Sequence, residues 1–101
     1  MAVNIYLSEL LDRYGAVLPE KQFRILDGYY NNDLSLSEIA ENEGISRQGV
    51  SDFVKRGDAV LHEYEEKLRF CDKCAELKAL AEKVHNGESN IAKLFEAIDN
   101  F

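Results

Sequence analysis

Apolar residues recur along most of this chain at three- and four-residue intervals, the spacing that lines one face of a helix. Ile5, Leu7, Leu10, Leu11 and Tyr14 predict a first helix over residues 4–14, starting at Asn4, and Gly15 interrupts or ends it. Pro19 can open a second helix, because the N–H it lacks has no partner in a first turn. Phe23, Ile25, Leu26, Tyr29 and Tyr30 carry that helix to the turn cluster Asn31-Asn32-Asp33. Ser35-Leu36-Ser37-Glu38 has the form of a capping box and starts a third. A fourth begins after Ser46. Its stripe of Val50, Phe53, Val54, Val60, Leu61, Tyr64 and Leu68 meets no proline or turn cluster before Phe70. Ala75, Leu77, Leu80, Ala81 and Val84 predict a further amphipathic helix closed by Asn86-Gly87. Glu88 or Ser89 then leads into Ile91, Leu94, Phe95 and Ile98. No stretch of useful length alternates with the period of a strand, and there is no linker, repeat or low-complexity tract. The pattern predicts an all-α fold.

Residues 38–50 carry the most information. Ala40 is small where two helices would cross closely, and Gly44 falls where the turn needs a left-handed backbone. Ser46 can cap the following helix through its side-chain oxygen. Ile39, Ile45 and Val50 supply the apolar contacts that would fix the angle between the helices. Arg47 and Gln48 come directly after the cap, and both can read base edges or grip phosphates. This is the layout of a DNA-binding helix-turn-helix.

Composition changes that picture in two ways. A chain of 101 residues with 46% hydrophobic content makes one domain, or one small domain with an extension. A core of this size is marginal, so a partner subunit would help. The net charge of −7 opposes nucleic-acid binding, which leans on neutralised phosphates. Locally the balance reverses. Arg47, Lys55 and Arg56 against Asp52 make residues 44–57 net +2, while the acids gather at Glu38, Glu41, Glu43, Glu63, Glu65 and Glu66. DNA binding by one subunit would therefore be weak. There is no membrane-spanning apolar run and no signal-peptide pattern, and Cys71 and Cys74 are too close together to staple a secreted fold. A cytoplasmic protein with reduced thiols is expected.

Each candidate has a plainer reading beside it. Arg47, Gln48 and Ser51 could line a solvated face. Lys55 and Arg56 could position phosphates, or pair with Asp52 or Asp58 at helical spacing. Cys71-Asp72-Lys73-Cys74 with His62 and His85 lacks the second ligand pair of a structural zinc site, and structural, buried or half-buried cysteines are expected. Tyr6, Tyr14, Phe23, Tyr29 and Tyr30 read as core with their hydroxyls at the rim. The stripe of Val60, Leu61, Tyr64 and Leu68 reads as partly a dimer seam, which would also present two recognition helices. No catalytic constellation appears, so neither an enzyme nor a cofactor is expected.

Several blocks occur in a specific order: residues 11–15, 20–22, 26–30, 33–40 and 44–50, then Lys55-Arg56 followed by residues 61–68. Over about residues 5 to 70 the chain resembles the bacterial YlxM-like family of small helix-turn-helix proteins, whose DNA-binding-like part is similar to region four of sigma factors. The resemblance implies an all-α, sigma region four-like helix-turn-helix domain without a wing. The chain is expected to divide into a helix-turn-helix domain at residues 1–69 and a helical extension at residues 70–101, which matches the family only as an acidic helical tail and which the apolar stripe suggests for dimerisation. The resemblance also implies a DNA-binding role and a link to the signal recognition particle, with whose genes the family is associated. Carried over by position, the recognition residues are Ser46, Arg47, Gln48, Ser51, Lys55 and Arg56. Gly49 and Gly57 depart from the pattern, and each costs a helix roughly 1 kcal/mol against alanine. Asp52 adds a negative charge beside the reading face. A looser helix that binds DNA less well is the expectation. The rival reading makes the motif a protein- or RNA-interaction module for a component of the particle, since an acidic surface suits a basic partner. Expected partners are thus DNA, a particle component and a second copy of the chain, with no membrane.

Overall fold

The structure, a computed structural model, describes residues 5–101. Asn4 of the predicted first helix lies outside them. Among the described residues six α-helices follow one another: α1 (Ile5–Tyr14), α2 (Glu20–Tyr30), α3 (Leu36–Glu43), α4 (Arg47–Leu68), α5 (Phe70–His85) and α6 (Ile91–Asp99), with a 3-10 turn at Gly15–Val17 after α1. No strand occurs among the described residues, and the fold is all-α. None of their helices is long and apolar enough to cross a membrane.

Two compact units divide the chain, residues 1–68 and residues 69–101. In the first, α4 packs against α1, α2 and α3. Leu10, Leu11, Ile25, Leu26, Val50 and Leu61 form its fully buried centre. Leu61 corrects one expectation. The stripe that includes it reads as partly a dimer seam, whereas α1 packs along α4 and Leu61 is fully buried. Tyr64 and Leu68, further along, remain more than a third exposed.

Polar contacts fix the helices at defined points. Tyr14 donates to the buried Glu65 carboxyl at 2.5 Å, joining α1 to α4. Tyr30 donates to Asp58 at 2.6 Å, joining α2 to α4. Burial first, then that hydrogen bond, push the Tyr30 hydroxyl well above its ordinary range. Arg24 grips Glu43 with two hydrogen bonds of 2.7 Å, fastening α2 to the end of α3. That contact, more than the charge interaction, holds the Glu43 carboxyl below its usual range. A bidentate guanidinium also offsets the unfavourable placing of an acid at a helix C-terminus.

Close approach explains the glycine at 57. A Cβ there would stand 2.6 Å from Cδ2 of Leu26, so α2 and α4 cross where only a hydrogen fits. The predicted loosening at Gly57 thus has a counterpart in tighter interhelical packing. The aromatic residues divide. Tyr14 is buried, Tyr29 and Tyr30 are half-buried, but Tyr6 and Phe23 are 46% and 38% exposed and do not belong to the core. Tyr6 lies against His62, and Phe23 covers Gly15.

The second unit is a pair of helices, α5 against α6. Arg69, in the left-handed region at φ 57°, precedes α5 and reaches Asp72 in its first turn at 3.2 Å. Gly87, at φ 77°, follows α5. Asn90, rather than Glu88 or Ser89, caps α6 by accepting from the Lys93 N–H. Cys71 is buried and Cys74 half-buried.

Candidate nucleic-acid interface

The turn between α3 and α4 is built from residues that each meet a local demand. Ser35 accepts from the Glu38 N–H while Glu38 returns a bond to the Ser35 N–H, closing the capping box that starts α3. Ile39 and Ala40 bury the inner face of α3. Gly44 then adopts φ 67°, ψ 32°, and the N–H groups of Gly44 and Ile45 both return to the Ala40 carbonyl. That left-handed residue reverses the chain within one step. Ser46 restarts the helix by accepting from the Gly49 N–H at 2.9 Å. Val50 and Val54 are buried, which fixes the rotation of α4 about its axis.

With α4 so oriented, the predicted site residues fall as follows. Ser46 is exposed and serves as the cap, so its hydroxyl is already engaged. Arg47, Gln48 and Lys55 are exposed, and Ser51 is half-buried. At about 100° per residue these four share one quadrant or so of the helix surface, with Arg56 about 100° beyond Lys55. Gln48 donates to Asp52 at 3.0 Å, so the acid beside these residues is matched to the amide one turn before it. Neither Asp52 nor Asp58 forms an ion pair with Lys55 or Arg56: Asp52 takes Gln48, and Asp58 takes Tyr30. Arg47 and Lys55 stand in no ion pair among the described residues. Their charges are available to an anion from outside.

One cation beside these residues carried no signal in the sequence. Lys21, in the first turn of α2, lies over the Phe53 ring at 5.5 Å from its centre, and Arg56 lies over the same ring at 5.2 Å. The neighbouring Gln22 donates to the Phe53 carbonyl at 3.2 Å. No spacing rule joins positions 21 and 56. Only the α2–α4 crossing does.

The arrangement offers guanidinium, ammonium and amide donors on a rigid helix. These are groups that take phosphate oxygens and base-edge acceptors.

Relatives share most of the chain. A UPF0122 protein of Clostridium perfringens strain 13 is 43% identical over 97 residues, 89% of this chain and 87% of its own length. One from Clostridium kluyveri is 45% identical over 100 residues, covering 99% of this chain and 81% of that protein. One from Acetivibrio thermocellus reaches 56% identity over 69 residues, 68% of this chain and 59% of its own. With residues 1–101 matching, the chain belongs to the family UPF0122, described as "Putative helix-turn-helix protein, YlxM / p13 like".

Proposed function

We propose that this protein binds duplex DNA through the exposed face of α4 and acts as a regulator. The observation that carries the reading is the turn at Gly44–Ser46, which sets Arg47 and Gln48 at the outer start of a long helix with Lys55 unpaired two turns on. Ser46, Ser51 and Arg56 complete the face. The likeness to YlxM-like proteins extends the reading to regulation of the signal recognition particle pathway. Two cysteines only three positions apart, too close to staple a secreted fold, suit a cytoplasmic setting.

Binding by one copy is weak, because only a few phosphates are met against a net charge of −7. Two copies would double the footprint. Residues 69–101 suit pairing: they carry five cations against six acids, whereas residues 1–68 carry seven against thirteen. Ile91, Phe95 and Ile98 stand about half exposed along α6. A nearly neutral unit with an apolar ridge is where two acidic chains can meet with least repulsion.

The test is a fluorescence-anisotropy titration of labelled duplex pools at low and moderate salt, with the targeting particle's RNA and protein in parallel. Salt-sensitive binding to duplex that weakens in the Arg47→Ala, Lys55→Ala double variant is expected. Equal binding by wild type and variant would overturn the assignment of this face. The excess of acid in residues 1–68 favours a second reading, in which the module docks on a basic protein of the particle. Capture of that protein at low salt, with silence on duplex, would support it over the first.

A further inference from the structure

We propose that Lys21, which lies before the helix-turn-helix, joins Arg56 to grip backbone phosphate on one flank of α4. The site rests on the nucleic-acid reading above and adds a part that α4 does not supply.

Lys21 and Arg56 converge on one ring, Phe53, from two helices. Both cations are exposed while Phe53 is half-buried, so the ring is a fixed base and the charges point outward. Gln22 holds the start of α2 in place through the Phe53 carbonyl, so Lys21 is delivered to this spot by a defined contact. Two like charges at one aromatic ring repel each other, and an anion between or above them removes that cost.

The carboxylates nearby are already committed. Glu43, whose carboxyl Lys21 helps to hold in its charged form, is taken by the two hydrogen bonds from Arg24. Glu20 faces Arg24 at 4.0 Å. Asp52, one turn before Arg56 on α4, accepts from Gln48. Neither Lys21 nor Arg56 forms an ion pair among the described residues.

The placing on α4 explains why phosphate is the ligand. Nine residues separate Arg47 from Arg56, which puts them about 180° apart around the axis. A helix lying in a groove about 12 Å wide meets a phosphate strand on each side. Arg47 then addresses one strand, and Arg56 with Lys21 the other. Gln48 and Lys55 sit between them, toward the bases. Contacts of this kind set register and carry no sequence information.

The test compares salt dependences on one labelled duplex for the full-length protein, Lys21→Ala, Lys21→Arg, Arg47→Ala and, as a control of equal charge change in the other unit, Lys78→Ala on α5. Thermal melts confirm that each variant folds, as expected for exposed positions. Lys21→Ala should lower the slope of log K against log salt by about 0.9, one phosphate's worth, on every sequence tried. Lys21→Arg should restore it, and Lys78→Ala should match wild type. A Lys21→Ala slope equal to wild type, while Arg47→Ala lowers it, overturns this proposal and leaves the role of α4 standing. Equal losses in Lys21→Ala and Lys78→Ala also overturn it, since net charge alone would then be at work. No duplex binding by wild type removes both readings together.

Discussion

Alanine at position 57 sets two effects of known sign against each other. Replacing a mid-helix glycine gains about 1 kcal/mol in helix propensity. Yet the new Cβ of Gly57→Ala would stand 2.6 Å and 2.8 Å from the two methyls of Leu26 and 3.3 Å from its Cγ. Leu26 is fully buried, so it cannot swing away without displacing its own neighbours. Forcing a methyl into such a contact costs about 1–3 kcal/mol. The balance is a net loss of about 1 kcal/mol, or a Tm lowered by about 4–8 °C for a domain of this size. Gly49→Ala provides the contrast within the same helix. Its Cβ would meet Ser46 Oγ at 3.3 Å and Ile45 at 3.6 Å, near the exposed start of α4. Most of the propensity gain survives there, so this variant should melt a few degrees higher than wild type. Circular-dichroism melts at one protein concentration decide the matter. A Gly57→Ala variant that melts as high as Gly49→Ala would refute the argument that α2 and α4 cross at glycine by steric need.

Tyr14→Phe removes a donor to the buried Glu65 carboxyl and should cost about 1–3 kcal/mol in urea unfolding; an unchanged midpoint would contradict that role. Burial raises the Asp58 carboxyl above its usual range, and the Tyr30 hydrogen bond and His62 offset this only in part. A carboxyl that holds its proton more tightly when folded stabilises below its unfolded pKa, and the contribution is lost as pH rises through the folded value. Asp58→Asn keeps an acceptor for Tyr30 and cannot ionise, so its stability relative to wild type should grow as pH rises above the ordinary aspartate pKa of about 4; a gap that is flat or narrows would contradict the assignment. Phe95→Asp places a charge in the middle of the α6 ridge and should shift the protein toward monomer in sedimentation velocity. An unchanged distribution would exclude that ridge as the seam.

The helix-turn-helix was legible because its rules are local. Ser35, Glu38, Gly44 and Ser46 each satisfy backbone groups within four residues, so spacing along the chain is enough to read them. Features that depend on which helices meet were not legible. Leu61 looked like a residue for a partner because nothing in the sequence says that α1 returns along α4. Gly57 looked like a weakness because the Leu26 methyls are 31 positions away. Lys21 carried no signal at all, since it meets Phe53 only through a crossing of α2 and α4. The acids beside Lys55 and Arg56 misled for the opposite reason. Helical spacing offered Asp52 and Asp58 as partners, but Gln48 and Tyr30 had taken them.

The central claim is that α4 presents its outer face to nucleic acid. Amide chemical-shift mapping by 15N NMR, with unlabelled duplex titrated into the full-length protein at low salt, tests it residue by residue. The account predicts shifts over residues 46–56 with a second cluster at Lys21 and Gln22, fading as salt is added. Shifts confined to residues 69–101, or none at a duplex concentration that saturates anisotropy, would contradict it.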